Sequence, residues 1–327
     1  MNYIVFDLEW NQSPQKQYEK KAIPFEIIEI GAVKLDENRR IIDSFQALVR
    51  PTVYKKMHSI TEDIIHLSMK DLMKANGFVK VCSDFIKWCG DDSVFCIWGD
   101  LDLTELQRNM EYYKMKPIAD GPLIFYDIQK LYSKYYEDGK TKRALSFAVD
   151  ALKLFDKERT FHRAYDDAYY TALVFANLQG DEILKKHSYD LYKIPIDKKH
   201  EVHEHFGNYT KYISRKFENR MELMADKEVL KIKCVYCWRP LRKKIRWFSP
   251  NGKHYLCAAH CFKHGCMKGK IRIKKEADDS VYTVKTIRAI NEKEFAELKE
   301  KKLKAKKSKA KKVLITGEEI ENQTINS

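Results

Sequence analysis

The sequence predicts an α/β domain built on a mixed sheet, followed by a smaller basic module that is rich in cysteine. Strand and helix patterns alternate through residues 1–180, as they do in α/β domains. Five of the eight cysteines fall between positions 234 and 266. Residues 1–180 carry 25 Lys and Arg against 27 Asp and Glu, whereas residues 181–327 carry 36 against 20. These three observations divide the chain into a near-neutral front half and a basic back half.

The first domain is predicted to begin with three consecutive strands, YIVFDLE, FEIIEIGAVKL and IIDSFQALV. Helical periodicity follows from about Met69 to Trp88, after which SVFCIWG reads as a buried strand and LTELQRNMEYYK as an amphipathic helix. Further helices complete the domain, the last from about Arg163 to Leu178. Three early strands followed by alternating helices and strands indicate a mixed sheet.

The rest of the chain is predicted to hold three segments. Residues 181–229 read as a polar, largely helical connector, which includes HEVHEHF at 200–206 because that run does not fit the HExxH metal motif. Residues 230–287 read as short basic strands punctuated by Cys, His and Gly. Residues 288–327 form a Lys-rich tail that is predicted to be mobile.

Composition indicates an intracellular globular protein, with 44% hydrophobic and 33% charged residues. No apolar run approaches the roughly 20 residues that a membrane span needs, and MNYIVFDLEW lacks the features of a signal peptide. Eight cysteines in such a protein argue against a disulfide framework. We therefore expect a cytoplasmic location, no membrane contact, and a polyanion such as nucleic acid as the partner of the basic half.

Two carboxylates in the first strand indicate a functional site. Asp7 and Glu9 project from the same face, about 6–7 Å apart, because side chains alternate along a strand. Acids this close must be solvated, share a proton or bind a cation. Asp102 follows the buried strand, although its spacing to Glu105 also fits a helix N-cap. Asp100 is a rival at this position.

A further acid lies in the predicted helix FHRAYDDAYYTALVF. Asp167 falls within the apolar stripe of this helix, whereas Asp166 lies on its flank. A buried carboxylate costs several kcal/mol unless it is paired or bound to a metal, so Asp167 needs an explanation. His162 precedes it by five residues, and its alternative interpretation is an ordinary exposed histidine. The segment KKMHSITEDI also fits an ordinary helix cap.

Together these motifs resemble the DEDDh 3′→5′ exonucleases of the ribonuclease-H-like superfamily over about residues 1–180. FDLEWN, EIIEIGAV and HSIT are most similar to the histone-mRNA and small-RNA exonuclease branch, which includes bacterial proteins named as inhibitors of a sporulation kinase pathway. The resemblance implies a ribonuclease-H-like fold and metal-dependent hydrolysis of single-stranded nucleic acid, RNA rather than DNA, from a free 3′ end. The products would be 5′-nucleoside monophosphates.

The resemblance also implies the roles of individual residues. A pair of Mg²⁺ or Mn²⁺ ions would be bound by four acids, Asp7, Glu9, Asp102 and Asp167. Hard divalent cations prefer such oxygen ligands, and two of them can assist both attack and departure at a phosphodiester. His162 would be the general base, and His58 and Ile60 would pack the terminal nucleotide. The alternative function is a nucleic-acid-binding regulatory protein that keeps the fold without turnover.

The cysteine-rich segment predicts a structural Zn²⁺ site of the zinc-ribbon type. Cys234 and Cys237 form a CxxC pair, and Cys257 and Cys261 follow after a spacer of about 20 residues. These four thiolates are the favoured ligands, although the second pair is C-x₃-C rather than C-x₂-C. The competing ligands are His260, His264 and Cys266. A redox-active CxxC is disfavoured because a βαβ context is missing.

Cations and aromatic residues alternate between the two cysteine pairs. Arg242, Lys243, Arg246 and Trp247 suit a single strand, since cations contact phosphates and aromatic rings stack on bases. The alternative is that the aromatic residues pack the module while the cations stay in solvent.

Overall fold

The computed structural model describes residues 1–65, 67–157 and 159–307. The chain divides into two compact units, Met1–Lys193 and Ile194–Ser327. The part of the predicted mobile tail beyond residue 307 lies outside the described residues. Within the described part of the chain, every helix is too short or too polar to cross a membrane.

A seven-stranded mixed sheet forms the centre of the first unit, which confirms the predicted α/β class. Its strands are β1 (Asn2–Gln12), β2 (Phe25–Leu35), β3 (Ile41–Arg50), β4 (Asn76–Gly77), β5 (Ser93–Ile97), β6 (Leu123–Asp127) and β7 (Ser188–Asp190). They lie in the order β4-β3-β2-β1-β5-β6-β7. β1, β2 and β3 are antiparallel neighbours, β5 and β6 run parallel to β1, and β7 is antiparallel to β6.

Helices cover both faces of this sheet. They are α1 (Ser59–Ile65), α2 (Met69–Leu72), α3 (Phe78–Cys89), α4 (Asp102–Tyr112), α5 (Ile128–Tyr136), α6 (Leu145–Ala151) and α7 (Ala164–Asn177). Alternation along β1 separates two cores, because Ile4, Phe6 and Leu8 pack with α3 and α4. Tyr3 and Val5 point the other way and pack with α7.

The second unit is built on a six-stranded antiparallel sheet in the order β10-β11-β12-β13-β9-β8. Its strands are β8 (Val202–His205), β9 (Tyr209–Ile213), β10 (Lys243–Phe248), β11 (His254–Cys261), β12 (Gly265–Lys275) and β13 (Val281–Ile290). Its helices are α8 (Arg220–Ala225), α9 (Lys227–Leu230) and α10, which covers 292–307. Phe295 and Leu298 of α10 pack on one face of the sheet, against β10 and β11.

The predicted helical connector at 181–229 differs from the observed structure. β7 pairs with β6 of the first sheet, so the first unit extends to Lys193 rather than to residue 180. β8 and β9 belong to the second sheet, which therefore begins well before residue 230. β8 is an edge strand with half-exposed side chains, and its charged residues hide the period of two on which a strand prediction depends.

Candidate active site and metal centres

β1 presents two carboxylates on the face of the sheet that packs against α7. Asp7 lies opposite Gly31 of β2, and Glu9 lies opposite Glu29. Directly paired residues of antiparallel strands project from the same face. The acids therefore continue the row that begins with Tyr3 and meet the first turn of α7.

The first turn of α7 lies directly against the sheet at Gly31. A Cβ atom at this position would lie 2.0 Å from the backbone nitrogen of Tyr165 and 2.1 Å from the carbonyl carbon of Ala164. Only glycine allows this approach, which carries Asp167 to the acids of β1. One carboxylate oxygen from each of these three acids lies within 4.8 Å of the other two.

Asp102 begins α4 and is 6% exposed. Burial raises the pKa of Asp102 to about 7, although hydrogen bonds from its own backbone N–H and that of Leu8 oppose the increase. After burial, the charge of Asp102 is the largest cause of the raised pKa of Asp7. The rival Asp100 is exposed and lies 3.8 Å from the ammonium of Lys142. The electrostatic cluster therefore includes Asp102 and not Asp100.

These carboxylates are mutually destabilising in the absence of a cation. Burial, followed by the charge of Asp167, raises the pKa of Glu9 to about 8. Burial also raises the pKa of Asp167 to about 6, and its Oδ1 atom has no hydrogen-bond partner among the described residues. Clustered oxygen ligands with excess negative charge suit Mg²⁺ or Mn²⁺. The residues present therefore fit divalent cations.

His162 lies immediately before α7, at the edge of this acidic cluster. The backbone of His162 has a positive φ of 71°. Its backbone N–H donates a hydrogen bond of 3.3 Å to Oδ2 of Asp167. Its side chain is exposed. Asp166, the flanking acid, instead forms an ion pair with Arg159, with Nη1 and Oδ1 2.9 Å apart. The helix start thus brings His162 to Asp167 and directs Asp166 elsewhere.

A half-buried ion pair, absent from the sequence predictions, fixes the start of α7. Fully buried Glu29 accepts hydrogen bonds from Nε of Arg163 at 3.0 Å and from Nη2 at 2.8 Å. Gln46 donates a third at 3.0 Å. The residue after His162 is therefore held against β2. A sequence signal existed, because Glu29 interrupts an apolar strand as the acids of β1 do.

His58 and Ile60 lie at the start of α1, which a second unpredicted residue, Asn11, joins to the end of β1. The buried amide of Asn11 donates to the carbonyl oxygens of Tyr54 at 3.1 Å and Lys56 at 2.9 Å. Its Oδ1 accepts a hydrogen bond of 2.9 Å from the backbone N–H of His58. Ile60 is 58% exposed, so its side chain is accessible to a ligand.

The second unit holds a thiol–imidazole cluster whose ligand atoms lie within 4.8 Å of one another, formed by Cys234, Cys237, Cys261 and His264. This corrects the predicted ligand set, because Cys257 lies outside the cluster and packs in the core. Cys257 and Cys261 are four residues apart on β11, about 13 Å along an extended strand. The turn after β11 brings His264 back instead. His260 and Cys266 pair on the opposite face of the sheet.

Trp247 is half-buried and packs against two core clusters of the second unit, which favours the alternative in which it packs the module over the predicted role in base stacking. Its Nε1–H donates a hydrogen bond of 3.0 Å to the carbonyl oxygen of Leu230. Arg242 and Arg246 are exposed, and Lys243 is half-buried. At this position the aromatic ring packs the module and the arginines face solvent.

Comparison with known proteins shows that the first unit is similar to exonucleases. A family model described as an exonuclease, RNase_T, matches residues 4–175. No curated protein matches the chain. A solved full-length 3′-exonuclease is 19% identical, with a TM-score of 0.45, and the match covers 54% of this chain and 80% of that one.

Two other solved nucleases show similar coverage of this chain. Cell-death related nuclease 4 is 17% identical, with a TM-score of 0.45 and coverage of 54% and 62%. The zinc-bound form of exonuclease I from E. coli with single-stranded DNA is 9% identical, with a TM-score of 0.43 and coverage of 54% and 40%.

The family model matches more than half of the length of the chain. The chain therefore belongs to the RNase_T exonuclease family, in the DEDDh group of the ribonuclease-H-like superfamily.

Proposed function

We propose that the chain is a divalent-metal-dependent 3′→5′ exonuclease that releases 5′-nucleoside monophosphates from single-stranded nucleic acid, with RNA preferred over DNA. The observation that supports the metal-dependent reaction is the group of three acids with its buried, unpartnered Oδ1 atom of Asp167. The preference for RNA rests on the motifs FDLEWN, EIIEIGAV and HSIT, which resemble the histone-mRNA branch.

Each side chain of the site has a separate role in the proposed reaction. Mg²⁺ or Mn²⁺ would be held by Asp7, Glu9, Asp102 and Asp167. Two such ions, when bound, supply positive charge that assists attack by water and departure of the 3′ oxygen. The imidazole of His162 accepts a proton from the attacking water as the water oxygen forms a bond to phosphorus. The bond between phosphorus and the 3′ oxygen breaks, and this oxygen takes a proton from solvent to become the new 3′ hydroxyl. Glu29 and Arg163 position His162 without touching the reacting atoms, and His58 and Ile60 contact the terminal nucleotide.

The proposal is tested with matched RNA and DNA strands that carry a 5′ label and either a free or a phosphorylated 3′ end. With Mg²⁺ or Mn²⁺ we expect stepwise shortening of the strand with the free 3′ end, release of 5′-monophosphates, and faster loss of RNA. Binding without shortening would instead favour the regulatory alternative, and internal cuts alone would contradict an exonuclease.

We also infer that Cys234, Cys237, Cys261 and His264 hold a structural Zn²⁺ ion. Three thiolates and one imidazole are a common ligand set of structural zinc, and the cluster lies beside the core of the second unit.

We expect Cys261→Ala to lose the roughly one zinc ion bound per chain and to unfold at a lower temperature. Cys257→Ala is the matched control, since it removes a thiol from the same strand outside the cluster and should retain zinc. Zinc content after dialysis and the absorption of Co²⁺-substituted protein measure both variants. Loss of metal from both variants would restore the four-cysteine assignment, and retention of zinc by Cys261→Ala would contradict the cluster itself.

A further inference from the structure

One face of the second sheet carries a row of cations on its third strand, β12. The row comprises Lys268, Lys270, Arg272 and Lys274, which alternate with glycine and isoleucine. Alternate residues of a strand project from one face, about 7 Å apart. β12 lies between β11 and β13, and these three strands contain no Asp or Glu. The row therefore lies on an inner strand of the sheet, and the two adjoining strands place no acidic residue beside it.

The charges of this row are only partly compensated. Burial, then Arg288 and Lys301, lower the pKa of Lys268, and Glu294 and Glu297 of α10 oppose this decrease. Among the residues that the structure describes, Lys268, Lys270 and Arg272 form no ion pair. Arg288, which lies opposite Lys268 on β13, does pair with Glu294 of α10, with Nη1 and Oε2 3.0 Å apart. α10 packs on this same face, against Leu256 and Ala258, which lie opposite Lys270 and Lys268. The cations of the row that lie beside α10 have no ion pair among the described residues and can bind an anion.

This arrangement is costly for the isolated protein, since like charges on neighbouring strands repel. His254 lies directly opposite Arg272, and burial together with Lys270 and Arg272 lowers the pKa of His254. Burial, then Arg272 and Lys268, also lowers the pKa of Lys270. Neighbouring cations that have no ion pair among the described residues are better explained by an anionic ligand than by a solvated face.

Aromatic and cationic side chains extend the same face across the sheet. Lys270 lies in register with Thr286 of β13 and Lys211 of β9. Tyr209 occupies the next position of β9 on this face, and its ring stacks on Phe206 with centroids 4.6 Å apart. Cations beside aromatic rings are typical of surfaces that follow a phosphate backbone and stack bases.

We infer that this face, centred on Lys268, Lys270 and Arg272, binds the phosphate backbone of a single-stranded nucleic acid. The choice of nucleic acid rests on the proposed exonuclease function, because the same chain would then bind its polymeric substrate at a second place. The cations of this surface differ from the acids of the first unit and from Arg242, Lys243 and Arg246 between the cysteine pairs.

The test compares two triple variants of the full-length chain, both in an Asp7→Asn background so that no cleavage occurs. One variant carries Lys268→Gln, Lys270→Gln and Arg272→Gln. The matched control carries Lys216→Gln, Lys231→Gln and Lys275→Gln, which removes three cations that are paired with acids in the same unit. Fluorescence anisotropy with a labelled single-stranded oligoribonucleotide gives the dissociation constant over a range of salt concentrations.

We expect the first variant to bind about 10²-fold more weakly at about 0.1 M salt, and the slope of log K against log salt to fall in magnitude by about 2. The control should change both values little. Equal weakening in the two variants, or no binding by the parent, would overturn the inference. Labelled polyglutamate is the alternative ligand. If the parent binds it as tightly as RNA, and the first variant binds it as weakly as RNA, the inference is overturned in favour of an acidic protein partner. Because cleavage is absent throughout, failure of the exonuclease proposal would leave these readings interpretable.

Discussion

Asp7→Ala should abolish Mg²⁺- or Mn²⁺-dependent shortening of an oligonucleotide, with a loss in kcat on the order of 10³-fold or more. Asp7 faces Asp167 within the three-acid group and interacts with Asp102, so its removal takes away an oxygen ligand shared by the whole cluster. Asp100→Ala is the matched control, because this nearby acid is exposed and lies beside Lys142. It should retain activity.

Removing the charge of Asp7 should increase stability, although it decreases activity. Without divalent cations, Asp7→Asn is expected to raise the free energy of unfolding by about 1–3 kcal/mol, because a buried charge among like charges is removed. The gain should be larger at pH 8 than at pH 5. The pKa of Asp7 is raised in the folded state, so folding stability is lost as pH rises and the group is forced to ionise.

Added Mn²⁺ should stabilise the parent chain in thermal unfolding and leave Asp7→Asn almost unchanged, since only an ion that binds the folded state shifts the equilibrium. Full activity of Asp7→Ala, or an equal Mn²⁺ response in both proteins, would contradict the assignment of this acid to the metal site.

Gly31→Ala should damage both stability and activity. The added methyl would lie within 2.0–2.4 Å of backbone atoms of Ala164 and Tyr165, which cannot rotate away as a side chain would. We expect a loss of about 1–3 kcal/mol or more from overpacking. We also expect a fall in kcat on the order of 10²-fold, because α7 must shift and move Asp167 away from Asp7.

Gly121→Ala is the control for this substitution, since a Cβ atom there would meet nothing within 4 Å. Urea unfolding and single-turnover cleavage, measured on both variants, separate the effect of close packing from that of losing a glycine. A Gly31→Ala protein with the stability and activity of Gly121→Ala would show that the helix does not depend on this contact.

Local sequence patterns are sufficient to predict the acids of the site and the α/β class. Asp7 and Glu9 could be predicted because they interrupt a strand with a period of two, and Asp167 because it interrupts a helical stripe. The role of Gly31 could not be predicted in this way, since it depends on where a helix more than 130 residues later packs. The Glu29–Arg163 pair also joins residues that only the tertiary fold brings together.

The proposed zinc ligands show how local geometry can override a spacing motif. The spacing of Cys257 and Cys261 suggests a metal-binding pair only if the chain turns between them. An extended strand keeps them apart, and recognising that strand would have required its pairing with β12. Likewise, the predicted helical connector includes β8 and β9 because β9 pairs with β13, more than 70 residues later, and β8 in turn pairs with β9.

The link between Glu29 and Arg163 has a consequence for the catalytic cycle. The peptide segment that bears His162 is anchored through its following residue to Glu29 in the middle of a sheet, in addition to the hydrogen bond from its own backbone N–H to Asp167. Exchange of ions or release of a mononucleotide can then proceed while the main chain stays in place. Only the exposed imidazole needs to rotate about its side-chain torsions, so successive turnovers along one strand would not require this segment to refold.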